Sequence, residues 1–341
     1  MIPDADLAAP SPVAERGPVD DRAFADEVAN ADAPVLLRAQ FAHWPAVAAG
    51  RAGPQAIGDY VARMSSGRPL EIMVGAPGIV GRFFYDDTLR KMNFGRHQVP
   101  PAALMTELVR LIDVADPHAV YASAAAIAPL LPGWIEQNPL ELPFPGAVPR
   151  IWIGNAARVA THYDLGSNIA VVVAGRRRFT LFPPEQLENL YVGPLERTIA
   201  GPPVSMVDPE QPDLARYPRF AEAARHALEA ELAPGDALFI PSLWWHHVRA
   251  LDPVNVLVNY WPVPDPAVSP LSAMVHAMMS VRDLPERERQ AWHRWFDHYV
   301  FGNDAVSAGD HLPDEAQGFV GPPGAGRTEQ IRRFLIASLQ R

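Results

Sequence analysis

Asn168-Ile169-Ala170-Val171-Val172-Val173-Ala174-Gly175-Arg176-Arg177-Arg178-Phe179-Thr180-Leu181-Phe182-Pro183-Pro184 decides the fold. Two short β-rich runs, residues 168–174 and 177–182, meet at one glycine and stop at a proline pair. Branched and aromatic side chains suit a pleated surface, and glycine and proline punctuate it. The junction leaves no room for a crossover helix, which disfavours a parallel βαβ arrangement. Further short β-rich runs surround them at 150–154, 236–241, 245–251 and 254–261, with turns at Pro234-Gly235 and Asp252-Pro253. Together these predict an antiparallel barrel or jelly roll rather than a doubly wound sheet.

Outward from this block the pattern changes. Residues 1–148 alternate helix and strand: Ile57, Tyr60, Val61 and Met64 fall on one helical face, as do Leu104, Leu108, Leu111 and Ile112, with strands expected at 34–38, 71–74 and 119–124. The first 17 or so residues, rich in Ala, Pro and Asp, read as loose, with a short helix over about 20–30. After Pro262 the chain turns helical, with Met274, Met278, Trp292, Trp295 and Phe296 on apolar faces. The expected organisation is a lead-in over 1–148 packing on the barrel, a core over 149–262, and a C-terminal helical region over 263–341. That last region's Met- and Trp-rich faces suit an interface, predicting a homodimer.

The 341 residues carry 29 Lys and Arg against 39 Asp and Glu, a formal charge of −10, which disfavours nucleic acid as a general partner. There is no cysteine, which excludes disulfides, thiolate metal sites, iron–sulfur clusters and a cysteine nucleophile. The N-terminus shows no basic or apolar leader pattern, and the longest apolar runs fall far short of the roughly 18 residues a membrane span needs. The expectation is a cytoplasmic protein without membrane contact.

Metal-type ligands concentrate in two places. Thr161-His162-Tyr163-Asp164 sets an imidazole and a carboxylate two residues apart, on one face of an extended chain. Trp244-Trp245-His246-His247-Val248 offers a second imidazole. On that strand His246 shares its face with Val248 and Ala250, the more apolar side, so His246 is expected to point inward and His247 outward. Two nitrogens and one oxygen form the facial set of non-haem Fe(II) oxygenases.

At this point the chain resembles the cupin-like Jumonji-C group of Fe(II)/2-oxoglutarate-dependent oxygenases. It is similar to bacterial members carrying a Gly81-Arg82-Phe83-Phe84-Tyr85 segment and to asparaginyl-type protein hydroxylases. The resemblance runs from about 150 to 261. It is carried by Ile151-Trp152-Ile153-Gly154, His162-Tyr163-Asp164, Asn168, Ala174-Gly175-Arg176-Arg177-Arg178-Phe179, Leu181-Phe182-Pro183-Pro184, Pro234-Gly235-Asp236, Trp244-Trp245-His246 and Asn259-Tyr260-Trp261.

What the resemblance implies is a mainly β fold with flanking helices: a double-stranded β-helix of the jelly-roll, cupin type with a C-terminal helical extension. It implies Fe(II) held by His162, Asp164 and His246, with 2-oxoglutarate as cosubstrate. Arg177 stands where relatives commonly carry Lys against the far carboxylate of 2-oxoglutarate, and a guanidinium can hold a carboxylate bidentately. Tyr121 matches a tyrosine bonding the same carboxylate. Asn168 and Asn259 match amides near the metal and cosubstrate, and Thr161 stands nearest to the hydroxyl that usually touches the cosubstrate. The substrate class is a protein or peptide side chain, or a small amino-acid-like molecule. Two other readings stand beside this one: a metal-dependent cupin enzyme that does not use 2-oxoglutarate, and a non-catalytic, metal-stabilised interaction module.

Overall fold

The computed structural model describes residues 7–199, 201–262 and 269–340. Residues 1–6, on which the expectation of no leader rests, and residues 263–268, where the helical region was expected to begin, lie outside it. The chain divides into two compact units, Met1–Val263 and Pro264–Arg341.

Two mixed sheets build the first unit. One has nine strands in the order β2 (Ala14–Arg16), β3 (Val35–Leu37), β13 (Ala237–Ile240), β10 (Asn168–Ala174), β15 (Asn255–Pro262), β8 (Ala147–Gly154), β7 (Ala119–Ala126), β4 (Leu70–Gly75) and β6 (Phe94–Val99). The other has six: β1 (Ser11–Pro12), β12 (Leu228–Leu232), β11 (Arg177–Phe182), β14 (Trp245–Ala250), β9 (Arg158–Tyr163) and β5 (Arg82–Phe83). The sequence reading expected a closed double-stranded β-helix, and this is corrected. Each sheet is open and ends in edge strands, β2 and β6 in one, β1 and β5 in the other, and no ladder among the described residues joins the two. Nor are they purely antiparallel, since β1 pairs parallel with β12, β2 with β3 and β5 with β9. Segments from the first hundred residues extend both sheets outward where closure would otherwise have been needed. For the same reason residues 11–16, read as loose, are extended chain on two sheet edges.

β10 and β11 are packed as their composition dictates. β10 is buried on both faces. Ile169, Val171 and Val173 pack with Trp44, Ile57, Leu104 and Trp134, beneath the Pro45–Ala52, Pro54–Met64 and Pro101–Leu111 helices. Ala170 and Val172 face the other sheet and meet Phe179, Leu181 and Val248. Arg177 shares the face of Phe179 and Leu181 on β11, so strand alternation aims its guanidinium between the sheets. A third layer, the span between β11 and β12, covers the outer face of the six-stranded sheet around Phe182, Val207, Phe220 and Trp245.

The Gly81–Tyr85 segment is packed into the first unit. Phe83, Phe84 and Tyr85 are buried with Tyr121, and Phe83 stacks on the Tyr121 ring with centroids 5.8 Å apart.

The second unit is helical, with Pro270–Ser280, Glu286–Phe296 and Ala325–Leu339 as its longer helices, none of which buries a residue. No helix of the described residues is long and apolar enough to cross a membrane.

Candidate metal centre

His162 on β9 and His246 on β14 are direct register partners in the six-stranded sheet, and their ring centroids lie 4.3 Å apart. Each imidazole is oriented by its own strand. His162 Nδ1 lies 2.8 Å from the Ala160 carbonyl, and His246 Nδ1 lies 3.0 Å from the Trp244 carbonyl. A carbonyl only accepts, so in both rings Nδ1 carries the proton and donates, leaving the Nε2 lone pair free. Burial, then the neighbouring His246 ring, pushes the pKa of His162 down to about 4, so this imidazole is neutral at pH 7, the form a metal binds.

Asp164 completes the set two residues after His162. Its Oδ2 lies 3.7 Å from His246 Nε2, and one donor atom from each of the three residues falls within 4.8 Å of the others. Asn168, at the start of β10, donates from Nδ2 to Asp164 Oδ2 at 3.0 Å. The Leu243 amide donates to the Asp164 carbonyl at 2.9 Å, which ties the turn before β14 to the end of β9.

A pocket opens beside this set. Its polar lining includes Tyr121, Arg177 and Asn259, and Phe179, Val248 and Leu257 supply an apolar wall. Arg177 is 2% exposed, and its Nε and Nη2 have no hydrogen-bond partner. Burial lowers its pKa, and the facing Tyr121 phenol opposes that shift. A buried guanidinium with unused donors is costly unless an anion meets it. Tyr121 reaches the pocket because Gly154 faces it across the β7–β8 ladder, where a Cβ would stand 2.7 Å from the Tyr121 ring. Asn259 accepts from Trp152 Nε1.

The structure therefore brings His162, Asp164, His246, Arg177, Tyr121, Asn168 and Asn259 to one pocket. Thr161 is buried on β9 but is not among the residues lining that pocket. Trp152, packed against the core, also lines the pocket.

Sequence reasoning missed a second group, Asp208, Glu210 and His247, whose donor atoms also lie within 4.8 Å of one another. Here the carboxylates already face cations. Arg158 Nη1 lies 3.4 Å from both, Arg82 Nε lies 3.7 Å from Asp208, and Arg249 Nη1 lies 2.5 Å from Glu210. The available signal was Asp208-Pro209-Glu210, two acids at same-face spacing in an otherwise loop-like stretch.

The profile of the cupin-like domain matches residues 21–265. Human HSPB1-associated protein 1 is 42% identical over 115 residues, 33% of this chain and 22% of that protein. Lysine-specific demethylase JMJ31 of Arabidopsis thaliana is 39% identical over 111 residues, 32% of this chain and 20% of that protein. Human tRNA wybutosine-synthesizing protein 5 is 31% identical over 150 residues, 39% of this chain and 45% of that protein. The chain thus spans less than half the length of each of these relatives.

Proposed function

We propose that this chain, which belongs to the cupin-like domain family, is an Fe(II)/2-oxoglutarate-dependent hydroxylase acting on a protein or peptide side chain or a small amino-acid-like substrate. The observation that carries the reading is a juxtaposition. Two imidazoles with free Nε2 lone pairs and one carboxylate share a pocket with a buried arginine whose Nε and Nη2 donors are unused. Family membership and the donor set support a metal-dependent enzyme, and Arg177 extends that reading to an anionic cosubstrate.

In this reading His162, Asp164 and His246 hold the iron. Arg177 meets the far carboxylate of 2-oxoglutarate through its unused Nε and Nη2 donors, with Tyr121 beside it. When both are bound, iron and 2-oxoglutarate supply dioxygen activation and C–H hydroxylation, with succinate and CO2 as coproducts. The protein's own part is orientation and exclusion of water. The Ala160 and Trp244 carbonyls fix the imidazole tautomers, Asn168 occupies one lone pair of Asp164 Oδ2, and Phe179, Val248 and Leu257 keep the pocket dry. The proposal extends to a cytoplasmic enzyme that pairs as a homodimer through its C-terminal helices.

The test is anaerobic loading of the metal-stripped chain with Fe(II), followed by 2-oxoglutarate titration while watching for the visible iron-to-cosubstrate charge-transfer band. A saturable band, lost in His162→Ala and in Arg177→Ala, is expected. Iron binding with no band in the wild-type chain would contradict the 2-oxoglutarate assignment and favour an enzyme whose substrate itself meets the metal and Arg177.

A further inference from the structure

β9 carries His162 and leads directly into Asp164, yet is weakly held. On one side it pairs with β14, but the register shifts between His246 and Val248, so the ladder is irregular at His247, immediately beside His246. Among the described residues its other edge is met by two short contacts: β5 against Arg158 and Val159, and one bridge from Val204 to His162. At that bridge the Ser205 amide donates to the Thr161 carbonyl at 2.8 Å. A bulged strand with a thin edge does not fix its side chains through the backbone alone.

Three to six residues past that bridge, the same segment presents Asp208 and Glu210 to the outer face of the sheet. Arg82 comes from β5, Arg158 from β9 and Arg249 from β14, and all three converge on these two carboxylates. His247 is 3% exposed, neither ring nitrogen has a hydrogen-bond partner, and its Nε2 lies 3.9 Å from Glu210 Oε1. The pair thus ties three strands together directly behind His162 and His246. Asp208 and Glu210 are only 12% and 18% exposed, so solvent screens these contacts less than it screens surface pairs.

We infer that Asp208 and Glu210 are positioning residues for the metal centre, acting through the outer face of the six-stranded sheet. They anchor the Val204–Ser205 bridge on β9 and stiffen the irregular ladder at His247, which holds the two imidazoles at their spacing. The cluster is not itself a cation site, because three guanidinium groups already outnumber its two carboxylates. The inference rests on the proposed metal centre, and its test separates the two.

In the full-length Asp208→Asn/Glu210→Gln double variant, the side-chain volumes stay and the charges go. Amide hydrogen exchange on the metal-free chain is the first readout. Exchange at residues 160–164 and 245–248 is expected to quicken at least about tenfold. Faster exchange confined to residues 204–210 would overturn the inference, and this result is independent of any metal. Co(II) titration is the second readout. Affinity is expected to fall about tenfold, the scale typical of losing an outer support of metal ligands. The d–d absorption, which reports ligand geometry and not stability, is expected to change. Unaltered affinity and spectrum would overturn the inference. So would a bound ion that persists in His162→Ala/Asp164→Ala and disappears in the double variant. If the wild-type chain binds no Co(II), the metal-centre reading fails while the exchange result still decides the positioning role. Should the double variant not fold, Arg249→Gln removes one cation and keeps both carboxylates. About threefold faster exchange at 245–248 is then expected, and unchanged exchange would overturn the inference.

Discussion

His246 and His247 are neighbours in sequence with opposite environments. β14 alternates its faces, so one imidazole enters the pocket and the other meets Glu210 behind the sheet. This much was legible from the sequence, because Val248 and Ala250 marked the apolar face. The inward aim of Arg177 was legible in the same way from Phe179 and Leu181. Asp208 and Glu210 were not. Their partners stand about 40 to 130 positions away in the chain, and nothing in a loop's local pattern encodes such long-range ion pairs. Burial opposes the charge on Glu210, but His247 and Arg249 outweigh it and hold its carboxyl down to about 2. The unfolded chain binds the proton first, so the stability Glu210 lends is complete above about pH 4.5 and is lost as the pH falls toward 2. Urea unfolding of the wild-type chain and of Glu210→Gln should therefore differ most at pH 6 to 7 and converge as acid approaches pH 2. A constant difference across that range would remove the ion-pair account of Glu210.

At the scale of elements, composition identified strands where both faces are buried, as in β10, and helices where one face is apolar, as in Pro54–Met64. It did not reveal how the sheets end. β1, β2 and β5 have only two or three residues each, too few for a periodic signal, and they are what leaves the sheets open-edged rather than closed. β9 was recognised only as the carrier of the His–Asp pair, since Arg158–Tyr163 alternates weakly. Gly175, between β10 and β11, is the turn that carries the chain from the nine-stranded sheet to the six-stranded one. Its φ is +69°, and a Cβ there would lie 2.5 Å from the Val254 carbonyl oxygen. Gly175→Ala should cost roughly 1–3 kcal/mol through backbone strain and that clash. A shift in the urea midpoint worth less than about 0.5 kcal/mol would show that the turn relaxes freely.

At the scale of the whole molecule, the sequence located a pocket and a separate helical C-terminal stretch, but not what the helices meet. Trp295 is 57% exposed and Phe301 74% exposed, and the Trp292, Trp295 and Tyr299 rings line up along one side of their helix. An apolar surface of this kind is the feature that supports a homodimer. Light scattering at micromolar concentration should give twice the 37.3 kDa chain mass, falling to one chain in Trp295→Glu/Phe301→Glu. A single-chain mass for the wild-type protein would contradict the pairing.

The proposed activity depends on one claim, that His162, Asp164 and His246 together hold a metal ion. Its most direct test is a stoichiometric titration of the metal-stripped full-length chain with Fe(II) under anaerobic conditions, beside His162→Ala/Asp164→Ala. One tightly bound ion per wild-type chain and none in the double variant is the predicted result. An ion retained by the double variant, or no ion in the wild-type chain, would contradict it.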